Sequence, residues 1–280
     1  MNSSILLSVT TWVYGLTAFL YIMAVVFKTP GPSRVATWIL LFGIAGNTTG
    51  ILMRWVESYN MGIGHAPLSN LYESLVFFAW TVSLIYLLIE RRYKTHIFGA
   101  FVTPLAFLAM AYASFSTGVS SRIQPLLPAL KSNWLIAHVI ACFIGYAAFA
   151  VAFGISIMYL MKQRRPENTK GFLSRFPKID DLDELNHRMI LFGFLFLSAG
   201  IITGAVWANS AWGRYWGWDP KETWSLITWF IYATLLHARL MHGWHGKRIA
   251  YLSMIGFVAV LFTYFGVNLL PGLHSYGSMK

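Results

Sequence analysis

The chain has 280 residues, of which 57% are hydrophobic, 17% aromatic and only 11% charged. Because an average globular domain carries about 25% charged residues, this composition argues against a soluble enzyme and favours a helical protein that crosses the membrane several times. The net charge of +11 is typical of the positive residues that set membrane topology, and it gives little support to a nucleic-acid-binding surface.

Eight segments with few or no charges are each long enough for a helix of about 20 residues that crosses a bilayer. They lie near residues 9–27, 35–53, 71–89, 97–113, 134–161, 189–208, 223–240 and 249–270. We therefore predict an all-α, polytopic integral membrane protein with about eight transmembrane helices. The first segment lacks a basic leader and a small-residue cleavage pattern, so we expect it to be retained as a helix.

The distribution of basic residues predicts the orientation of these segments. Fifteen of the 21 Lys and Arg residues lie in the loops that join segments 1 and 2, 3 and 4, 5 and 6, and 7 and 8. By the positive-inside rule these loops face the cytoplasm, and both termini lie outside it. With no repeat or low-complexity tract, we expect a single membrane domain over residues 1–280. The pairs Gly46/Gly50 and Gly200/Gly204 permit close helix packing, although they are equally compatible with ordinary membrane glycines.

Tryptophan is concentrated around the loop between segments 6 and 7, which faces outward by the charge count. Six of the twelve tryptophans fall within 23 residues: Trp207, Trp212, Trp216, Trp218, Trp224 and Trp229. An interfacial aromatic belt normally spreads over both membrane faces, so this concentration favours a platform for a large, flat, apolar ligand. Asp219, Pro220 and Glu222 predict a capping box at the start of segment 7. Arg214 and Lys221 would contact either ligand carboxylates or lipid headgroups.

Histidines near this loop offer possible metal ligands. His138 lies close to the outer end of segment 5, and His274 follows segment 8 on the same side. Two neutral imidazoles beside the tryptophans can bind one haem iron axially, although each is as readily a hydrogen-bonded structural histidine. His237 lies about 27 Å along segment 7 from Asp219, near the cytoplasmic leaflet. It is either a ligand or a boundary residue, and a haem there would need a second ligand from another subunit.

Several other polar residues have simpler interpretations. Asn70 and Glu73 fit a capping box for segment 3, so Glu73 is better interpreted as a cap than as a catalytic acid. His65, in an outer loop, has either a supporting or a functional role, and His96 is expected at the surface beside basic residues. The single cysteine, Cys142, is predicted to be a small buried apolar residue. No disulfide, CxxC pair or CxxCH haem-attachment motif therefore exists within the chain.

The tryptophan-rich string WGRYWGWDPKETWSLITW, which starts at Trp212, resembles the "WWD" signature of haem-handling proteins. GHAPLSNLYESL, WLIAHV, GAVWANSAWG and GVNLLPGLHSYG extend the resemblance to one family, the CcsA/ResC-type subunit of the System II cytochrome c synthase. The resemblance covers about residues 63–280, whereas residues 1–62 contribute hydropathy only. The WWD signature alone would also match related haem exporters.

The resemblance implies a scaffold that takes haem b from the cytoplasmic side and presents it outside for thioether attachment to the CxxCH motif of apocytochrome c. His138 and His274 match the two external axial ligands, and His237 matches an intramembrane ligand. The matching haem-binding surface comprises the external tryptophan-rich loop 207–224, including Trp212, Trp216, Trp218, Asp219 and Trp224. No side chain is expected to act as an acid, base or nucleophile.

Fused versions of this synthase carry a module that supplies a second intramembrane histidine, and the present chain lacks that module. The resemblance therefore implies a separate CcsB/ResB-type membrane subunit, together with apocytochrome c and thiol-reducing proteins as partners. The expected location is the bacterial cytoplasmic membrane or a thylakoid membrane. The alternatives are a WWD-type haem exporter without synthase activity and a bis-histidine membrane cytochrome b.

Overall fold

A computed structural model describes residues 2–164 and 172–270. Over these residues the chain forms eight α-helices and three short 3-10 helices, and it forms no β-strand. The α-helices are α1 (Ser3–Val26), α2 (Pro30–Asn60), α3 (Leu71–Tyr93), α4 (Gly99–Phe115), α5 (Asn133–Gln163), α6 (Ile179–Trp212), α7 (Pro220–His242) and α8 (Lys247–Tyr264). The 3-10 helices are Pro128–Leu130, Phe172–Arg175 and Gly266–Leu269. The all-α prediction is confirmed.

The helices have the length and composition of membrane spans. Six of those in the described ranges are long and apolar enough to cross a bilayer: α1, α2, α3, α5, α6 and α8. The apolar helix α4 has 17 residues, just short of that length. Helix α7 has 23 residues, but it begins with the polar sequence PKET. Large apolar side chains such as Trp38 and Phe42 are exposed on the helix surfaces, as expected where lipid replaces water. The chain is thus a polytopic membrane protein, and the positions of its termini remain predicted.

Local signals set several helix ends. The side chains of Asn2, Asn70 and Ser132 each accept a hydrogen bond from a backbone N–H in the first turn of the helix that follows, which satisfies one of the donors that a helix start leaves unpaired. Gly213 and Gly243 end α6 and α7 in the left-handed conformation, with φ of 73° and 62°. That conformation costs glycine little because it has no Cβ.

The helices divide into two compact units. One comprises the described parts of residues 1–130 and 165–177, and the other those of 131–164 and 178–280. In the first, α1 packs against α2 and α4, and α3 packs against α4. In the second, α5 packs extensively against α6 and also against α8, which in turn packs against α7. The single membrane domain predicted from the sequence stays a prediction.

Buried charges stabilise one end of the first unit. Arg54 Nε lies 2.7 Å from Glu73 Oε1, and neither side chain is appreciably exposed. The other carboxylate oxygen of Glu73 accepts from the backbone N–H and hydroxyl of Ser69, at 2.9 and 2.8 Å. Asn70 caps the backbone N–H of Glu73. The sequence thus predicted the Asn70 cap correctly. The predicted capping box is not closed, because the carboxylate of Glu73 accepts from Ser69 and not from the Asn70 N–H, and the ion pair with Arg54 required the tertiary structure.

Glycines allow the helices of each unit to approach closely. A Cβ on Gly50 would lie 2.5 Å from Leu7 Cδ2, and one on Gly46 would lie 2.9 Å from Thr10 Oγ1. On α6, a Cβ on Gly200 would meet Cys142 Sγ at 2.5 Å. The small-residue spacing noted in the sequence therefore marks the α1–α2 and α5–α6 contacts.

Candidate functional site

The loop between α6 and α7 is fixed at its second end by a capping box. The side chain of Asp219 accepts from the Lys221 N–H at 2.9 Å, and Glu222 Oε2 accepts from the Asp219 N–H at 3.1 Å. The same oxygen of Glu222 accepts from the Gly217 N–H at 2.7 Å. Two loop amides are thereby tied to the first turn of α7, so the backbone that carries the tryptophans has a defined conformation. The predicted capping box is confirmed.

The tryptophans of this loop differ in exposure. Trp207 is buried, and its ring centroid lies 4.9 Å from that of Trp212. Trp216 and Trp218 pack edge to face at 5.8 Å. Trp218 is 68% exposed and Tyr215 is 60% exposed, so these two rings present the accessible aromatic surface of the loop. Trp218 also has a φ of 56°, a left-handed conformation that costs a non-glycine residue about 1–2 kcal/mol.

The tryptophans on α7 serve helix packing. Trp224 lies 4.2 Å from Phe262 of α8, measured between ring centroids. Trp229 donates its indole N–H to Ser198 Oγ at 2.8 Å. Trp224 is half-buried and, like Trp212 and Trp218, is not among the residues that line the cavity beside the loop, so its place in the ligand surface stays a prediction.

His138 lies in the first turns of α5 and is oriented by α6. Its Nδ1 is 2.7 Å from the carbonyl oxygen of Gly200. A carbonyl only accepts, so Nδ1 carries the proton and the neutral ring keeps a lone pair on Nε2. The ring of Trp207 stacks on the imidazole at 6.0 Å with an interplanar angle of 18°. A side chain held in one tautomer by a backbone carbonyl is the usual arrangement of a histidine that ligates a metal.

A cavity of about 70 Å³ connects His138 to the tryptophan-rich loop. Its walls include His138, Trp207, Tyr215, Trp216, Lys221 and Glu222. The fold thus brings the first turns of α5, the end of α6 and the start of α7 to one place. Cys142, one turn after His138, also lines the cavity and is buried as predicted. A typical site for a ligand of drug size has about 300–1,000 Å³, so a macrocycle would have to lie on the exposed rim or displace part of the loop.

The sequence did not single out Tyr215, Tyr146 or Thr263, which also line the cavity. The position of Tyr215 within the tryptophan-rich loop was a usable signal. Tyr146 and Thr263 carried none, because helix packing alone brings them there. Lys221 lines the cavity, whereas Arg214 is exposed and packs beside Gly217, where an added Cβ would lie 2.6 Å from Arg214 Nε.

The remaining histidines lie in different environments. His237 is exposed at the far end of α7 from Asp219, and its ring centroid is 5.6 Å from that of the exposed His242. His65 is buried, with Nδ1 2.9 Å from the Ala66 carbonyl and Nε2 3.1 Å from the Gln124 carbonyl. Since both of its nitrogens face carbonyl oxygens, this geometry supports a structural role.

Two further histidines were named in the sequence predictions, His96 and His274. His96 was expected at the surface, but it is half-buried because its Nδ1 lies 3.2 Å from the buried carboxylate of Glu90. The predicted ligand His274 lies outside the described residues.

Comparisons with known proteins identify the family of the chain. A family model described as "Cytochrome C assembly protein" matches residues 68–274. The cytochrome c biogenesis protein CcsA of Chlamydomonas reinhardtii is 45% identical over 232 residues, which cover 81% of this chain and 64% of that protein. The CcsA protein of a Prochlorococcus marinus strain is 42% identical over 254 residues, with coverages of 81% and 79%. The chain therefore spans just under two thirds of the Chlamydomonas relative.

A solved structure of cytochrome c haem lyase CcmF is similar to this chain, with a TM-score of 0.70 and 18% sequence identity. The similarity covers 94% of this chain and 47% of CcmF. At this identity the likeness concerns the fold alone.

Proposed function

Because the chain belongs to the cytochrome c assembly protein family, as a CcsA-type cytochrome c biogenesis protein, we propose that it binds haem b and presents it for covalent attachment to apocytochrome c. The observation that carries this proposal is the position of His138. Its Nδ1 is committed to the Gly200 carbonyl, and its ring lines the cavity beside the tryptophan-rich loop. The Nε2 lone pair, which faces the weakly donating thiol of Cys142 at 4.0 Å, is the group that an iron ion requires.

The chemistry of the surrounding side chains suits a porphyrin. Exposed indole and phenol rings at Trp218 and Tyr215 offer flat contact area to a macrocycle. Lys221 and Arg214 supply positive charge for two carboxylates. Since the cavity holds only about 70 Å³, the macrocycle would lie outside it. The loop segment with Tyr215 and Trp216 would then have to move for the iron to reach His138. The proposed second axial ligand is His274, on the resemblance alone.

The proposed reaction is the addition of two cysteine S–H groups of a CxxCH motif across the two vinyl groups of haem. Each sulfur bonds to a vinyl carbon and each thiol proton ends on the other vinyl carbon, so nothing leaves and no nucleophile from this chain is needed. The contribution of the chain is to hold the haem in one orientation. Fixing two reactants in one geometry lowers the barrier by up to about 7–11 kcal/mol.

The exposed His237 favours a site shared with a second protein. Because an imidazole on the outer surface of a membrane helix is expensive to leave against lipid, a facing helix from another subunit would give it a partner. We assign that role to a CcsB/ResB-type subunit, whose own histidine would complete an intramembrane haem site. Thiol-reducing proteins would keep the CxxCH cysteines ready to react.

The proposed location is a bacterial cytoplasmic membrane or a thylakoid membrane, with the tryptophan-rich loop on the side away from the cytoplasm or stroma. The excess of Lys and Arg in the opposite set of loops supports this orientation.

Co-expression in a host without its own cytochrome c assembly system tests the proposed function. The wild-type chain, the partner subunit and a CxxCH apocytochrome should together produce covalently attached haem, measured by peroxidase staining of a denaturing gel. His138→Ala should lower the yield at least tenfold. Added imidazole should restore part of it, because the free base can replace the missing ligand. His245→Ala is the matched control, since it removes an exposed histidine at the other end of the same unit.

Wild-type yield from His138→Ala would overturn the assignment of His138. A wild-type chain that binds haem but gives no covalent product with its partners would instead indicate an exporter or a membrane cytochrome b.

A further inference from the structure

A basic cavity lies at one end of the first unit, in a part of the chain to which the proposed haem chemistry gives no role. It holds about 180 Å³ and is formed by the end of α1, the start of α2, the turn between α3 and α4, and the 3-10 helix Phe172–Arg175. Its lining contains three basic side chains and three hydroxyl groups: Lys94, His96, Arg175, Thr29, Ser33 and Thr95. Residues far apart in sequence thus converge on one small polar space.

The charge of this cavity is not neutralised from within. Among the described residues that line it, none is acidic. Across residues 2–164 and 172–270, neither Lys94 nor Arg175 takes part in an ion pair, and both side chains are exposed. Two unpaired cations at one cavity leave a positive potential that a bound anion would offset.

His96 forms the inner wall and is held in place by a buried carboxylate. Its Nδ1 lies 3.2 Å from Glu90 Oε1. That carboxylate also accepts from Thr37 Oγ1 at 2.6 Å, from Tyr21 OH at 2.7 Å and from Tyr86 OH. The carboxylate of Glu90 therefore has its hydrogen-bond donors, and Glu90 is not among the residues that line the cavity.

The start of α2 adds a second source of positive potential. Thr29 is the N-cap and makes no side-chain capping bond, and Pro30 occupies the first helical position. Pro30 and Pro32 have no N–H, so the first turn offers only the amides of Gly31 and Ser33, together with the helix dipole, which favours an anion nearby. Ala24 and Val25 of α1 also line the cavity, so an apolar surface adjoins the basic one.

We propose that this cavity binds a phosphate group, carried either by the headgroup of an anionic lipid or by a free phosphate anion. Its volume suits a group of that size and is below the range typical of larger ligands. The adjoining apolar wall at the end of a membrane helix suits the start of an acyl chain. The proposal is independent of haem binding, and its failure would leave the proposed function unaffected.

Binding of phosphatidylglycerol to the purified full chain in neutral detergent, followed by native mass spectrometry, tests the proposal. Phosphatidylcholine serves as the zwitterionic comparison, and inorganic phosphate followed by titration calorimetry tests the free anion. The double variant Lys94→Gln/Arg175→Gln removes the two unpaired cations. Val25→Trp keeps every charge and fills the cavity. The control Arg91→Gln/Arg92→Gln removes two exposed cations from the same end of α3 that do not line the cavity.

We expect saturable binding of one phosphatidylglycerol, weakened at least tenfold in both Lys94→Gln/Arg175→Gln and Val25→Trp and less than threefold in the control. The same pattern with inorganic phosphate and no lipid preference would support the proposal with a free anion as ligand. Equal losses in the control and in the cavity variants would mean that only general surface charge is involved, and the proposal would be wrong. Unchanged binding in Val25→Trp, with circular dichroism confirming a folded chain, would also overturn it.

Discussion

Replacing Gly204 by alanine tests whether His138 must keep its present position. A Cβ at Gly204 would lie 2.6 Å from His138 Nδ1, which is about 0.8 Å short of the 3.4 Å at which ordinary contact begins. The imidazole must therefore move by a comparable distance. A shift of that size would lengthen the 2.7 Å bond to the Gly200 carbonyl to about 3.5 Å, beyond a normal hydrogen bond.

The expected cost follows from these distances. Loss of the hydrogen bond removes about 0.5–1.5 kcal/mol, and overpacking a close helix contact costs about 1–3 kcal/mol. The overpacking cost falls on the free energy of unfolding, whereas the lost hydrogen bond affects how the ligand is oriented. Since each 1.4 kcal/mol corresponds to a factor of ten, the hydrogen-bond loss should lower haem affinity by up to about tenfold, although the histidine itself is still present.

The measurement is haem titration of the purified chain, followed by the Soret absorbance, with thermal unfolding in the same detergent as a check on folding. Gly31→Ala is the matched control, because no atom lies within 4 Å of its added Cβ. A Gly204→Ala protein that binds haem as tightly as the wild type would show that the Nδ1–carbonyl bond does not orient a haem ligand.

Three further predictions concern stability and the tryptophan-rich loop. Glu73→Ala leaves Arg54 buried without its carboxylate and should cost about 3–5 kcal/mol in unfolding experiments. Glu184→Ala removes a half-exposed carboxylate that pairs with Arg188 and with Arg239, and Arg239 keeps its bond to Asp183, so the cost should be less than about 1 kcal/mol; equal effects would contradict the importance of burial. Asp219→Ala removes the cap of α7 and should lower unfolding free energy by about 1 kcal/mol, whereas Asp219→Asn should restore most of it. Trp218→Gly should raise the free energy of unfolding by up to about 1 kcal/mol, because glycine adopts the left-handed φ without strain, and should lower haem affinity; unchanged or higher haem affinity would contradict a ligand role for the exposed indole.

Local sequence patterns were sufficient for many features of the fold. The eight helices follow from uncharged segments of bilayer length, because the membrane requires every backbone polar group to be bonded within its own segment. The capping residues Asn70 and Asp219 were identifiable because a cap acts over three or four residues of sequence. The Gly200/Gly204 spacing indicated a close helix contact. It did not indicate that Cys142 packs against Gly200 and His138 against Gly204.

Features that depend on distant residues were not predictable in the same way. The Arg54–Glu73 pair, the Glu90 cluster that half-buries His96, and the basic cavity all join side chains from different helices. Trp224 shows the same limit within the candidate site, because its contact with Phe262 joins two helices. Its contact with the ligand stays a prediction.

The sequence by itself determined that this chain is an α-helical membrane protein, which family it resembles, and where its helix caps lie, because each of these depends on local composition or on an ordered motif. Only the tertiary structure decided which imidazole nitrogen of His138 carries the proton, which tryptophans are accessible and which charges are paired. Those properties arise from contacts between helices, and a linear pattern of residues does not specify the distances on which such contacts depend.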